Sequence, residues 1–203
     1  MKSSFSNRAY NCFDRHFLRV KSYIITKFIY LKSSIQDVTL GKQCKFAGNV
    51  KFKVANGGCI IIGSGCKFNS SETVNNIGLN HKCILSATPG IKETCKLSIG
   101  NKCGFSGTAI WCFDSITIGD NVRCGANTLI MDGDAHFDDP RTPPSSPIVI
   151  EDGVFIGANC VVKKGVTIGK NTVIGMNSLV TKSIPENSVA VGNPCRVIKQ
   201  INI

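Results

Sequence analysis

The stretch VFIGANCVVKKGVTIGKNTVIGMNSLV, residues 154–180, repeats itself every six residues. Ile150, Ile156, Val162, Ile168, Ile174 and Val180 share one phase, and glycine follows Ile156, Ile168 and Ile174. A helix would need a period near 3.6 and a flat strand strict alternation. Period six satisfies neither over this length. It suits a coil with three flat faces, each one hexapeptide long, with one aliphatic side chain per face turned inward. Gly, Asn or Asp then sits where the chain turns.

Working outward, the same template recurs more loosely in GKQCKF (41–46), GSGCKF (63–68), GNKCGF (100–105) and SITIGDNVRCGANTLI (115–130). The repeats therefore run from about residue 38 to about 181, and coils of about 18 residues give roughly seven or eight turns. The expected fold is an all-β parallel solenoid of hexapeptide repeats. Its divisions are an N-terminal helical segment (1–37), the solenoid (38–184) and a short C-terminal tail (185–203).

Composition agrees. The 203 residues fit one domain, 42% are hydrophobic and 20 are Gly, while only 18% are charged. The 11 cysteines are odd in number, form no CxxC, and recur at equivalent repeat positions. They read as small buried thiols in a reducing cytosol rather than as disulfides of a secreted domain. No secretory signal opens the chain and no run of about 20 apolar residues crosses a bilayer, so the expected location is cytoplasmic.

The net charge of +11 suggests an anionic partner, either a nucleotide-like cofactor or a membrane surface. Nucleic acid is not expected, because no recognised module appears. The charge is uneven: Lys2, Arg8, Arg15, Arg19, Lys21, Lys27 and Lys32 face Asp14 alone. Residues 8–32 carry apolar residues at 3–4 spacing with these cations between, which predicts one or two helices. They either cap the open end of the solenoid or lie on anionic lipid, at the inner face of the membrane.

The rhythm fails at MDGDAHFDDPRTPPSSP, residues 131–147. Proline cannot continue a ladder, so this is a projecting loop, and loops on a rigid scaffold are where function tends to sit. It holds His136 among Asp132, Asp134, Asp138 and Asp139. An imidazole takes a proton near pH 7, and a carboxylate beside it fixes its tautomer. His16, in the helical segment, and His81, at a repeat turn, read as incidental.

The repeats, the ITIGDNVRCGANTLIMDGDAHFDD segment (116–139) and the ending VTIGKNTVIGMNSLVTKSIPENSVAVGNPCRVIK (166–199) together resemble the hexapeptide-repeat acyltransferase superfamily. The middle segment is similar to bacterial polysaccharide O-acetyltransferases, and the ending to galactoside and maltose acetyltransferases. The resemblance implies a left-handed β-helix, a homotrimer, and acetyl-CoA as acetyl donor in the groove between neighbours, with no metal. It implies His136 as catalytic base, with Asp134 or Asp132 orienting it.

For the cofactor, the resemblance points to Ala158, Met176, Thr181 and Lys182, with Arg196 and Lys199 on its phosphates. Phe155 stands where the family often has tryptophan, and with Ser106 it is implied at a glycan acceptor. The usual hydrophilic residue before the groove turn is replaced by Ala158. The expected activity is O-acetylation of a sugar in a surface polysaccharide such as capsule or O-antigen, or of its lipid-linked precursor. The rivals are an N-acetyltransferase of a nucleotide-linked amino sugar, a zinc enzyme of the same fold, and a non-catalytic solenoid.

Overall fold

The computed structural model describes residues 2–201, with side chains from residue 16. Lys2, Arg8, Asp14 and Arg15 of the basic N-terminus, and Cys12, therefore lie outside the described side chains.

The chain opens with helix α1 (Lys2–Ser33). The solenoid follows, three strands to a coil. These are β1 (Val38–Leu40), β2 (Lys45–Ala47) and β3 (Lys51–Val54), then β4 (Gly58–Ile62), β5 (Lys67–Asn69) and β6 (Ile84–Ala87). The third and fourth coils are β7 (Cys95–Ile99), β8 (Gly104–Ser106), β9 (Ala109–Cys112) and β10 (Ser115–Ile118), β11 (Arg123–Cys124), β12 (Leu129–Met131). The fifth and sixth are β13 (Ile148–Ile150), β14 (Phe155–Ile156), β15 (Val161–Val162) and β16 (Thr167–Ile168), β17 (Val173–Ile174), β18 (Leu179–Val180). β19 (Ser188–Val191) begins a seventh coil and β20 (Arg196–Gln200) turns back on it.

Corresponding strands stack into three parallel sheets. Sheet A is β1-β4-β7-β10-β13-β16, sheet B is β2-β5-β8-β11-β14-β17-β19-β20, and sheet C is β3-β6-β9-β12-β15-β18. Six coils are complete, slightly fewer than the roughly seven or eight expected, because insertions between β5 and β6 and between β12 and β13 consume chain without adding a coil. The sequence betrayed only the second insertion. The segment from residue 185 continues the solenoid rather than leaving it: Ile184 bridges Ile168, and β19 pairs in parallel with β17. Antiparallel β20 then closes the sheet edge.

In the shortest strands one side chain points in, and in longer ones such as β4, β7 and β10 alternate side chains do. Phe46, Phe68 and Phe105 of successive coils stack at 5.1 and 5.2 Å. Ile60, Leu97, Ile116 and Ile148 are buried beneath sheet A. Each such aliphatic side chain contributes at most about 1.5–3 kcal/mol on leaving water.

Cysteines fill small inward corners. The Sγ of Cys44, Cys66 and Cys103 donates to the carbonyls of Gly63, Gly100 and Gly119 in the next coil, at 3.2, 3.2 and 3.1 Å. Burial pushes the Cys95 thiol up to about 11, so it stays protonated near neutral pH. The ten described cysteines are all free.

The N-terminal segment is one helix rather than two, and it does cap the solenoid. Leu18, Ser22, Ile25, Thr26, Ile29 and Tyr30 share its inner face, and Ile29 is fully buried. β2 is the first strand of sheet B, so its outer backbone groups have no strand partner. Thr26 Oγ1 accepts from the Phe46 N–H at 3.1 Å and Ser22 Oγ donates to the Phe46 carbonyl at 2.6 Å. Tyr30 Oη accepts from the Cys44 N–H at 2.9 Å and donates to the Gly41 carbonyl at 2.6 Å. Side-chain hydroxyls thus replace a missing strand, which otherwise would leave an edge open to pairing.

Candidate active site

The chain leaves sheet C at Met131 and re-enters sheet A at Ile148, so the intervening loop stands on the corner between those sheets. Asp132 anchors its root. Fully buried, its Oδ1 accepts from the Phe113 N–H at 2.7 Å, and its Oδ2 from the N–H groups of Asp114 and Ser115 at 3.0 and 2.8 Å. Burial pushes this carboxyl up, and the three backbone donors offset only part of that rise.

Further along, Asp134 Oδ2 meets Lys164 Nζ, which also donates to the Pro143 carbonyl. Phe137 packs edge-on against Phe113 at 5.2 Å, and Phe113 lies 4.6 Å from Trp111. Two glycines permit these approaches. A Cβ on Gly133 would come within 2.7 Å of the Phe113 ring, and one on Gly90 within 2.7 Å of Phe137. On the return, Ser146 donates its N–H to the Asp132 carbonyl at 2.9 Å.

This fixed loop presents His136 to solvent. Ala135 before it adopts φ +61°, a left-handed conformation that costs a non-glycine residue about 1–2 kcal/mol. The His136 carbonyl accepts from Thr142 Oγ1 at 2.6 Å and from the Asp139 N–H at 3.2 Å. Among the described residues, no hydrogen bond reaches the imidazole ring. In the single chain neither Asp134 nor Asp132, the expected orienting partners, is hydrogen-bonded to the ring. Asp132 spends both oxygens on backbone amides, and Asp134 is turned to Lys164. Asp139 is held below the usual carboxylate range first by Arg141, at 2.6 Å, with a smaller contribution from His136.

The residues matched to the cofactor lie elsewhere. Gly125, Gly157 and Gly175 stack at the corner between sheets B and C, where a Cβ on Gly157 would stand 2.6 Å from the Met176 nitrogen. Next in these turns come Ala158, 8% exposed, and Met176, 70% exposed. The Asn177 N–H donates to the Ala158 carbonyl at 2.9 Å, so the two turns are in register. Arg196 pairs with Val191, whose side chain packs on Gly175, so Arg196 belongs to the same corner. Lys199 lies further along β20, opposite Val189.

Thr181 and Lys182 follow β18 at the far end of sheet C, both exposed. Phe155, 45% exposed, and Ser106 stand in strands of sheet B and line one groove. One chain thus gathers Ala158, Met176 and Arg196 at one corner with Phe155 beside it. His136 stands at another corner.

Sequence reasoning missed Lys164, Phe113 and Trp111 as supports of the loop. Lys164 carried no signal of its own in the pair Lys163-Lys164. Among the described residues, no group of three His, Cys, Asp or Glu side chains is placed to hold a metal ion.

Residues 147–182 match the family model described as the hexapeptide repeat of succinyl-transferase. A galactoside O-acetyltransferase of Escherichia coli is 49% identical over 92 residues, which cover 43% of this chain and 45% of that one. A 2,3,4,5-tetrahydropyridine-2,6-dicarboxylate N-acetyltransferase of Staphylococcus aureus is 41% identical over 81 residues, covering 40% of this chain and 31% of that one. The chain spans about half the length, or less, of these curated relatives. A solved galactoside acetyltransferase in complex with coenzyme A superposes with a TM-score of 0.50 at 30% identity, over 81% of this chain and 65% of that one. The fold is the left-handed parallel β-helix expected from the sequence, and the resemblance to hexapeptide-repeat acyltransferases stands.

Proposed function

We propose that this relative of the hexapeptide-repeat acyltransferases moves an acetyl group from acetyl-CoA to a sugar hydroxyl. The acceptor is a surface polysaccharide or its lipid-linked precursor. The observation that carries the reading is His136, exposed at the tip of a loop held at several points along its length.

As the acceptor oxygen attacks the thioester carbonyl, His136 takes its proton. The C–S bond then breaks, and the imidazolium returns the proton to the leaving thiolate. No covalent enzyme intermediate is required if both substrates are held in line. An identity to an N-acetyltransferase keeps a second reading, transfer to an amino sugar, because the same base serves either nucleophile.

His136 and the Ala158–Met176 turns occupy different corners of one prism. We infer a homotrimer, in which the loop of one copy faces the sheet B–C corner of the next. Acetyl-CoA lies between them, with its phosphates toward Arg196, Lys199 and Lys182 and its thioester near Phe155. Charge-assisted bonds suit these cations to phosphate.

Helix α1 supports work at an anionic membrane surface. Phe17, Val20, Ile24, Phe28 and Leu31 form an outer stripe at 3–4 spacing, each at least 46% exposed. Arg19, Lys21 and Lys27 flank it, and residues 16–36 contain no acid. On this reading the cap and the lipid-facing helix, alternatives in the sequence, are compatible as two faces of one element.

The test of the chemistry is His136→Ala in the full chain. With acetyl-CoA and a galactoside, turnover should fall about 10²–10⁴-fold while coenzyme A binding is unchanged. Turnover equal to wild type removes His136 from the mechanism. Transfer to an amino sugar but not to its hydroxyl counterpart selects the second reading.

A further inference from the structure

The outer face of sheet B carries a ladder of cations that acetyl transfer leaves unused. The parallel register sets Lys45 beside Lys67, Lys67 beside Gly104, Gly104 beside Arg123, and Arg123 beside Phe155. Their neighbours Phe46, Phe68, Phe105, Cys124 and Ile156 are buried, so strand alternation turns the ladder outward. Lys102 joins it from the turn before Gly104. These four cations line one open groove of about 810 Å³, and no Asp or Glu lines it.

Two features argue that the groove is built for a ligand. Like charges opposite one another in neighbouring strands are destabilising, yet Lys45 and Lys67 are direct register partners. Elsewhere Lys92, Arg141 and Lys164 are ion-paired, whereas among the described residues none of the four groove cations is. Gly104 is the second feature. A Cβ there would meet nothing within 4 Å, so packing does not demand glycine. Its effect is to leave a depression in the middle of the ladder.

The length of the groove selects the ligand. Strands lie about 4.8 Å apart, so the cations extend over about 14 Å from β2 to β11, with Phe155 one row further. A single diphosphate would engage two neighbouring cations. A run of this length fits charges repeated along an extended chain. Asn69, Ser106 and Asn121 lie among the cations and suit hydroxyl groups. The exposed ring of Phe155 offers a flat apolar surface for a sugar. The coenzyme A phosphates were assigned to Lys182, Arg196 and Lys199, past the sixth coil, so they do not account for cations in the first four.

We propose that this groove binds an acidic glycan, an extended sugar chain with repeated carboxylate or phosphodiester groups, whose acetylated sugar rests at the Phe155 end. The proposal rests on the sugar-acetyltransferase reading and names the acceptor class.

The test is titration of the full chain with hexagalacturonate, a phosphodiester-linked mannose hexamer, neutral maltohexaose, UDP-glucose and an oligothymidylate. At least one acidic hexamer should bind, more weakly at high salt, and maltohexaose should not. Whichever acidic hexamer binds more tightly identifies the anion. In Lys67→Glu/Arg123→Glu that affinity should fall at least about tenfold, equivalent to about 1.4 kcal/mol. Lys67→Gln/Arg123→Gln should lose affinity too, with a thermal midpoint no lower than wild type and coenzyme A binding unchanged.

Undiminished hexamer binding in both variants overturns the proposal, as does equal binding of maltohexaose. So does a result in which only UDP-glucose or the oligothymidylate depends on Lys67 and Arg123. Coenzyme A binding separates the two readings. Acetyl transfer to a neutral galactoside without hexamer binding defeats the groove alone. Hexamer binding by a chain that cannot bind coenzyme A defeats the acetyltransferase reading alone.

Discussion

Lys164 Nζ stands 2.5 Å from Asp134 Oδ2, with the two side chains only 13% and 26% exposed. The pair ties the turn after β15 to the loop two residues before His136. The same ammonium holds the Pro143 carbonyl on the loop's return limb, so one cation clamps both limbs. Asp134 is thereby bonded to Lys164 and not to the imidazole.

The clamp predicts a specific kinetic signature. Asp134→Asn and Lys164→Met each leave the partner charge underpaired in a partly buried place, a cost of about 1–3 kcal/mol, between exposed and buried ion pairs. His136 then samples misplaced positions, and kcat should fall about tenfold or more, since small misplacements are costly. Coenzyme A affinity should not change. The double variant should be little worse than either single variant, because both remove one interaction. Additive losses in kcat would show that Asp134 and Lys164 act separately.

Asp132 yields a prediction about stability and its pH dependence. Three backbone N–H groups converge on its two oxygens, whereas an asparagine offers one acceptor and an amide that faces donors. Asp132→Asn should cost about 2–3 kcal/mol from unsatisfied buried donors, seen as a midpoint lowered by about 4–12 °C.

The sign with pH follows from the raised carboxyl. The folded protein holds this proton more tightly than the unfolded chain does. The stabilising contribution of protonation is full below the unfolded value of about 3.9 and is lost as pH rises through the folded value. The advantage of wild type over Asp132→Asn should therefore shrink between pH 4 and pH 7. An advantage that grows over that range would mean the three donors outweigh burial.

The solenoid was legible in the sequence because its packing is periodic. Ile156, Ile168 and Ile174 each meet the same environment one coil or one face apart, so their spacing encodes the geometry. The loop was legible as a failure of that period, and His136 stood out by the chemistry of its side chain. What the loop rests on was hidden, because those contacts run between coils. Asp132 reaches back to Phe113–Ser115, and Lys164 reaches across from the following coil. No periodic signal marks either. The insertion between β5 and β6 escaped notice because its residues are neither proline-rich nor acidic. The basic ladder was hidden likewise, since Lys45, Lys67 and Arg123 become neighbours only once the register is known.

Helix α1 supplies the last prediction. Its inner face is committed to β2 through Ser22, Thr26, Ile29 and Tyr30, so lipid would meet the outer face without unfolding the cap. No helix among the described residues is long and apolar enough to cross a membrane. Apolar side chains drive partial insertion, and each nearby cation adds about 1 kcal/mol on anionic lipid. The chain should float with vesicles containing phosphatidylserine and stay in solution with pure phosphatidylcholine. Ile24→Lys/Phe28→Lys keeps the positive charge but interrupts the apolar stripe. It should abolish flotation while leaving turnover on a soluble acceptor intact, because both side chains lie on the exposed outer face of α1. If the variant floats as well as wild type, attraction is electrostatic alone and the stripe has another occupant. If wild type fails to float at low salt, the membrane role of α1 is lost.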